Sequence, residues 1–269
     1  MNLRKRKQQK MESIVNPLHH EAEIKANLTN LPDEVLLMIF SFLSKSDLVS
    51  LSQTCQGLKH LALDPSLWTE LILKYEAIRK STWACRKLVS RCTMLKHLTI
   101  TSARPDIESD RVMSIVLLRK DTLTSLKIDD ARGLQNSAMT QLSMMTNLRH
   151  LAICGLKLEA SGLLLLTNLT ELEEFLILPR PCGCFKRCSD NVQCPRPRRV
   201  RPLQASTIAA IKLLAKRMKK LRILKIPGLS FEQVPDLVKR NPHLEQIGNW
   251  VFTWGKMTSE GHFENLGAI

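Results

Sequence analysis

Aromatic residues and long apolar runs are scarce in this sequence. Aromatic side chains make up 4% of the 269 residues, with a single tyrosine, so the residues that favour the strands of β-sandwiches are few. No stretch reaches the roughly 18 apolar residues that a membrane-spanning helix needs. Glycine-rich phosphate loops, His-Glu-x-x-His and Gly-x-Ser-x-Gly are absent as well. The composition favours helices, and we expect no enzymatic activity and no membrane partner.

The first ten residues, MNLRKRKQQK, are followed by no apolar run as long as that of a signal peptide. We therefore expect a cytoplasmic protein, a nuclear protein or both. In that reducing setting the eight cysteines should be thiols rather than disulfides. Residues 1–27 predict a basic, disordered leader, which is either a nuclear-import signal or only a solvated tail.

The formal net charge of +15 raises the question of a nucleic-acid partner. Residues 1–10 contribute +5, and residues 179–202 contribute +6, from seven basic groups and Asp190. The other residues together carry only +4. Most of the positive charge therefore lies in two short segments, and the rest of the chain is nearly balanced. For this reason nucleic acid is a possible partner that we do not favour.

The sequence of the first module, residues 28–68, predicts a helix with apolar side chains around most of its circumference. Asp33 and Glu34 follow Pro32, as is typical of the first turn of a helix. Two apolar stripes follow at helical spacing. They are Val35, Ile39 and Phe42 on one side and Leu36, Phe40 and Leu43 on the other. A surface helix needs one stripe, so this helix is either buried on all sides or covered by a partner.

Helical spacing predicts a second helix in this module. Its expected apolar face consists of Leu48, Leu51, Cys55 and Leu58.

The motifs of this module are, in chain order, Leu31-Pro32-Asp33-Glu34-Val35, Ile39-Phe40-Ser41-Phe42-Leu43, Asp47-Leu48, Cys55 and Asp64-Pro65-Ser66-Leu67-Trp68. With this spacing, segment 28–68 resembles an F-box, an all-helical domain. The resemblance implies docking on a Skp-type adaptor and, through it, on a cullin. The residues that it places against the adaptor are Leu31, Pro32, Ile39, Leu43 and Leu48. The alternative is that these residues are ordinary helical core.

A second module, residues 67–249, contains an internal repeat with the template L-x-x-L-x-[LI]. Full copies occur at Leu95-Leu98-Ile100, Leu123-Leu126-Ile128, Leu148-Leu151-Ile153, Leu172-Phe175-Ile177 and Leu221-Leu224-Ile226, with partial copies at Trp68-Leu71-Leu73 and Leu244-Ile247. Most copies lie at the spacing of leucine-rich repeats, and a helical segment follows each full copy. One strand and one helix per repeat predict a stack in which the strands are parallel.

An F-box followed by such repeats resembles the F-box and leucine-rich-repeat proteins. The resemblance implies an α/β solenoid: an all-helical F-box, then a short curved array with strands on the concave side and helices on the convex side. It also implies the substrate-recognition subunit of a ubiquitin ligase, which recruits a target protein for ubiquitination and proteasomal degradation. The alternatives are a scaffold with a non-proteolytic nuclear or nucleic-acid-associated role, and a repeat scaffold that binds no adaptor.

Strand alternation predicts which side chains leave the core of the array. The second and third template positions point inward, and their neighbours point outward. The residues that we expect to contact the target are His150, Cys154, Glu174, Leu176, Leu178 and Ile223. The alternative is that the C-terminal tail or the insertion at 179–202 covers this patch.

The insertion, residues 179–202, is rich in Pro, Arg and Cys. Four thiolates could bind a structural zinc ion, and they are those of Cys182, Cys184, Cys188 and Cys194. The alternatives are a disordered loop with incidental cysteines and a basic loop for an acidic partner. We expect no other cofactor.

The tail, residues 250–269, contains Trp250, Phe252, Trp254 and Phe263, which are too apolar for a free segment. We expect Trp250–Trp254 to cap the last repeat. The alternative is a peptide that binds a partner.

Overall fold

The computed structural model describes residues 31–102, 108–129, 131, 134, 136–157, 159–178 and 202–248, and the backbone of strands at 253–257 and 263–265. The predicted leader, residues 1–27, lies outside the described residues. So do Trp250, Phe252 and the four insertion cysteines. The chain divides into two compact units, one ending at Leu67 and one starting at Trp68.

The helical unit is built from three short helices. They are α1, Asp33–Ser41; α2, Lys45–Leu51; and α3, Gln56–Ala62. Helix α3 contacts both α1 and α2. The core of the helical unit consists of the buried side chains Leu36, Phe40, Leu48, Leu58 and Leu61. The sequence predicted one helix through Leu48 and Leu58, but residues 52–55 separate α2 from α3. A short 3-10 turn, Pro65–Trp68, follows.

The second unit contains one sheet in which the strands follow chain order. Its parallel strands are β1, Glu70–Lys74; β2, His97–Thr101; β3, Ser125–Ile128; β4, His150–Cys154; β5, Glu174–Leu178; β6, Ile223–Lys225; and β7, Gln246–Gly248. Beyond β7 lie the antiparallel strands β8, Thr253–Met257, and β9, Phe263–Asn265.

Helices connect the parallel strands and pack side by side in the same order. They are α4, Tyr75–Lys80; α5, Thr82–Arg91; α6, Ser109–Val116; α7, Asn136–Leu142; α8, Ala160–Leu165; α9, Ala205–Arg217; and α10, Val234–Arg240. The predicted parallel strands and their connecting helices are therefore present. Among the helices of the described residues, none combines the length and apolarity required to cross a membrane.

Equivalent template positions lie side by side in the sheet. Leu98 pairs with Leu126, Leu126 with Leu151, and Leu151 with Phe175. All three apolar positions of every full template copy are at most 1% exposed. The template therefore forms the continuous buried rows of the unit, which we call the strand rows. No single strand–helix segment could bury such a row alone.

One backbone arrangement recurs where each strand begins. The carbonyl of Thr69 accepts hydrogen bonds from the N–H groups of Lys96 and His97, at 2.8 and 3.0 Å. The carbonyl of Arg149 accepts from Glu173 and Glu174 in the same way, at 2.8 and 2.9 Å. Because the carbonyl before one strand takes two donors from the next, the register of each segment is fixed by its neighbour.

A buried polar side chain joins the last two segments. Asn241 is fully buried, and its Nδ2 donates to the carbonyl of Met218 at 2.8 Å. Its Oδ1 accepts from the N–H of His243 at 3.1 Å. The turn before β7 is thereby tied to the turn before β6, and the buried amide has partners for both its donor and its acceptor, as a stable buried polar group requires.

Candidate functional site

Helix α1 presents an apolar face to solvent. Its exposed side chains, with the residue just before the helix, are Leu31, Val35, Met38, Ile39 and Phe42, which we call the α1 stripe. They lie one and two helical turns apart and share one face. Exposure ranges from 39% for Leu31, Val35 and Ile39 to 86% for Phe42. The stripe of Val35, Ile39 and Phe42 expected from the sequence is therefore exposed among the residues that the structure describes.

The opposite face of α1 anchors the helix in its unit. Leu36 and Phe40 are almost fully buried, and α1 packs against α3. The helix starts at Pro32, whose carbonyl accepts from the N–H groups of Val35 and Leu36 at 3.0 Å. Because one side of α1 is held this way, the α1 stripe is presented on a fixed support.

The turn after α1 is also defined by local hydrogen bonds. The N–H of Leu43 donates to the carbonyl of Phe40 at 3.0 Å. Ser44 caps α2, because its Oγ accepts from the N–H of Asp47 at 3.2 Å. Lys45 Nζ donates to the carbonyl of Leu67 at the other end of the unit. The C-terminal end of α1, with Phe42, is therefore held in place on both sides.

The five residues expected to face the adaptor have different environments. Leu31, Pro32 and Ile39 are exposed, and Leu43 is half-buried. Leu48 is fully buried, so the expectation that it is available to a partner is wrong. Helix α2 turns Leu48 into the core of the unit, where α2 contacts α3. Leu48 supports the fold of the domain and cannot contact an adaptor without a rearrangement.

The prediction of adaptor-facing residues left out several exposed apolar side chains of this unit. Phe42, Met38 and Val35 belong to the α1 stripe, and Val49 on α2 is 43% exposed. Helical spacing did place Val35 and Phe42 on one stripe with Ile39. A consistent reading of that spacing would also have added Met38, three residues after Val35 and four before Phe42.

Comparison with known families gives an independent result for this region. Residues 28–74 match the F-box-like family model. The chain contains an F-box-like domain. The resemblance noted in the sequence is thereby confirmed, and the domain indicates a role as an adaptor-binding module in ubiquitin ligase complexes of the Skp–cullin–F-box type. F-box domains typically bind Skp-type adaptors, and the α1 stripe is the apolar surface that this F-box-like domain offers.

The second candidate surface lies on the sheet, beside the strand rows. His150, Glu174 and Ile223 are neighbours across β4, β5 and β6. Leu176 is on the same face of β5 as Glu174, and so is Leu178. All five are partly exposed, so the structure brings together these members of the expected target contact. We call them the sheet patch.

Cys154 does not belong to the sheet patch. It is 7% exposed, so the exposure expected for it is wrong. It ends β4 opposite Leu178, and the next residue, Gly155, has a positive φ of 73° and donates its N–H to the carbonyl of Leu178 at 2.9 Å. The chain turns at this point, and the short thiol is covered by longer neighbours.

The sheet patch combines apolar and charged groups. His150 Nδ1 lies 3.3 Å from Glu174 Oε2. Lys225 stands beside Leu176 on the next strand. Partial burial lowers the pKa of Lys225, and the nearby Glu174 carboxylate acts in the opposite direction. An apolar centre with a polar margin of both charge signs is the usual composition of a protein-binding surface.

The zinc hypothesis rests on residues outside the described part of the chain. Cys182, Cys184, Cys188 and Cys194 all lie in residues 179–201, which the structure does not describe. Within the described residues, no group of three or more His, Cys, Asp or Glu side chains has an arrangement suited to a metal ion. The zinc site in the insertion stays a prediction.

Proposed function

We propose that this protein is the substrate-recognition subunit of a Skp–cullin–F-box type ubiquitin ligase. The observation that carries the proposal is the α1 stripe within an F-box-like domain. The F-box-like domain docks a Skp-type adaptor, which connects it to a cullin. The strand–helix segments are leucine-rich repeats stacked into a curved solenoid, and they recruit a target protein for ubiquitination and degradation.

The energetics of the α1 stripe support adaptor docking. Burying a large apolar side chain fully stabilises a complex by about 1.5–3 kcal/mol. The stripe has five such side chains, with Met38 and Phe42 more than half exposed. Their burial offsets the entropic cost of association only when a partner covers most of them at once. A rigid, continuous stripe on one helix meets that condition, because a single apolar groove can receive it.

The sheet patch supports target recruitment by the second unit. The strand rows fix its side chains on regular structure, so Glu174, Leu176 and Ile223 are presented at defined spacing. Sites on strands are held more precisely than sites on loops. The chain then needs no catalytic group of its own, because it raises the concentration of the target near the other ligase subunits. The cytoplasm and the nucleus are the compartments that suit this role.

Adaptor binding is the first test. The full chain is co-expressed with a Skp-type adaptor, as wild type and as Met38→Asp with Phe42→Asp. We expect a stoichiometric complex for the wild type and its loss in the double variant, because two charges would have to be buried in an apolar contact. Both side chains are exposed, so the thermal unfolding of the double variant should stay close to that of the wild type.

The matched control carries Gln53→Asp with His60→Asp, two exposed polar positions of the same unit. This variant adds the same acidic groups outside the α1 stripe and should keep the complex. A wild-type chain that remains monomeric beside the adaptor contradicts the ligase proposal. In that case the second unit has to be studied as a binding scaffold without a ligase.

A further inference from the structure

The helices between β1 and β2 carry a concentration of positive charge. From Lys74 to Lys96 the sequence has seven basic residues and one acidic residue, Glu76. This segment alone therefore contributes +6, whereas all residues outside 1–10 and 179–202 sum to +4. The residues outside 1–10 and 179–202 are therefore not evenly balanced in charge. Residues 74–96 are strongly basic, and the remaining residues of this group carry a net charge of −2.

Helix α5 turns this charge toward solvent together with a large aromatic side chain. Cys85 and Val89 form its buried side. Trp83 on its outer side is 70% exposed, and Lys87 Nζ lies 4.8 Å from the centre of the Trp83 ring. The other exposed members are Arg86 and Arg91 on α5 and Arg79 and Lys80 at the end of α4. These six residues, with Trp83 among them, form what we call the basic surface.

Several cations elsewhere in the same unit form ion pairs. Arg149 lies 3.1 Å from Glu173, Lys220 lies 2.5 Å from Glu171, and Arg222 lies 2.8 Å from Glu245. Within the part of the chain that the structure describes, no ion pair joins a cation of the basic surface to a carboxylate. The five cations of the basic surface thus have no ionic partner among the described carboxylates, unlike Arg149, Lys220 and Arg222.

The guanidinium of Arg86 is held by a neutral backbone carbonyl, which does not neutralise its charge. Its Nη1 donates to the carbonyl of Ser114 at 3.1 Å. The remaining N–H groups of such a fork are suited to a carboxylate or a phosphate. The ammonium of Lys87 also makes a cation–π contact with the Trp83 ring, so the aromatic side chain and the cations lie close together.

We propose that the basic surface binds an acidic protein segment that carries an apolar side chain. Tryptophan and arginine are the residue types that most often dominate binding energy at protein interfaces. Trp83 supplies one apolar anchor, and the surrounding cations match carboxylates on either side of it. Single-stranded nucleic acid matches less well, because such sites stack successive bases on several aromatic side chains, and the basic surface has one. This inference does not depend on adaptor binding.

The test uses the full chain and a labelled peptide in which glutamates flank one central leucine. Binding is followed by fluorescence anisotropy at low and at physiological salt. The triple variant Lys80→Glu, Lys87→Glu and Arg91→Glu reverses exposed charges that make no described ion pair. We expect its affinity to fall by about tenfold or more, since several like charges would now face the peptide. Trp83→Ala should weaken binding with little change in salt dependence, because it removes an apolar contact only.

The matched control is Lys216→Glu, Lys219→Glu and Lys239→Glu, which makes the same change of charge at exposed positions on α9, after it and on α10. This control should bind the peptide within about twofold of the wild type if the site is local. An equal loss in both triple variants would show that only net charge matters and would overturn the proposal. Tighter binding of a single-stranded oligonucleotide of equal charge, or no binding of the peptide by folded wild type, would overturn it as well.

Discussion

The α1 stripe and the strand rows are both apolar, but they have opposite relations to water. The strand rows are at most 1% exposed, whereas Phe42 in the α1 stripe is 86% exposed. Side chains of the strand rows are covered by the next segment of the same chain. The α1 stripe has no such cover within the described part of the chain. The difference shows that one stretch of apolar residues stabilises the fold and another is available for association, although hydrophobicity alone does not separate them.

The largest expected effect concerns the middle of the strand rows. Phe175→Ala removes a fully buried ring on β5 and should destabilise the chain by about 3–5 kcal/mol, because a cavity remains where the row cannot collapse. Chemical unfolding followed by circular dichroism measures it. The loss should appear in the free energy of unfolding with adaptor binding still detectable at low temperature. A loss below about 1 kcal/mol would mean that the rows are not the main source of stability.

The converse change is made on the α1 stripe. Phe42→Ala should weaken adaptor binding by about 2–4 kcal/mol, as truncation of an exposed aromatic anchor does at an interface. It should alter the free energy of unfolding by less than about 0.5 kcal/mol, because the ring is already in water. Titration calorimetry with the adaptor and thermal unfolding give the two values. Equal effects on both quantities would erase the contrast between the two apolar regions.

A third substitution tests whether the strand rows need the hydrogen bonds of the buried Asn241 side chain. Asn241→Leu keeps the volume of a buried side chain but leaves the carbonyl of Met218 and the N–H of His243 without this partner. We expect a loss of about 1–3 kcal/mol in unfolding free energy, the cost of unsatisfied buried polar groups. Hydrogen exchange should show the loss near β6 and β7. Unchanged protection there would indicate that apolar packing alone fixes this end of the sheet.

The smallest effect is expected for a charged contact at the surface of the second unit. Lys212 Nζ lies 2.7 Å from Asp236 Oδ2, and Arg240 Nε donates to Oδ1 at 3.2 Å. Lys212 first and Arg240 second lower the pKa of Asp236. A lowered carboxyl pKa stabilises the folded state above the unfolded pKa, and this contribution is lost as the pH falls through the folded pKa. The stability gap between wild type and Asp236→Asn should therefore be small at neutral pH and vanish in acid. A gap that persists in acid would assign the effect to packing.

Much of the second unit was accessible from the sequence because its apolar template repeats. Each copy specifies a short strand with inward positions at Leu98, Leu126 and Leu151, and the register in the sheet aligns these same positions. The exposure of side chains at the ends of strands was harder to predict from the sequence. Alternation in β4 predicts that Cys154 is exposed, but Cys154 is buried like Ile153 before it. It lies where Gly155 turns the chain, and alternation does not describe how neighbours cover a short side chain.

In the helical unit, too, sequence spacing did not predict which side chains are buried. Helical spacing identified the two faces of α1, yet spacing cannot state which face a neighbouring helix covers. Leu48 was expected to face a partner and is buried, while Met38 was overlooked and is exposed. Burial depends on the packing of α3 against α1 and α2, which involves residues of separate helices. The predicted continuous helix also failed, because residues 52–55 separate α2 from α3.

By itself, the sequence determined the order of the two modules, the α/β character of the second and the F-box-like nature of the first. Local periodicity suffices for the α/β character, because it depends only on the side chains within one helix or strand, whereas the F-box-like nature came from the resemblance of the motifs at 31–68 to that family. The tertiary structure decided that the α1 stripe is open, that Leu48 and Cys154 are covered, and that Trp83 stands among unpaired cations. Each of these depends on which distant residues pack alongside, and packing is a property of the assembled chain.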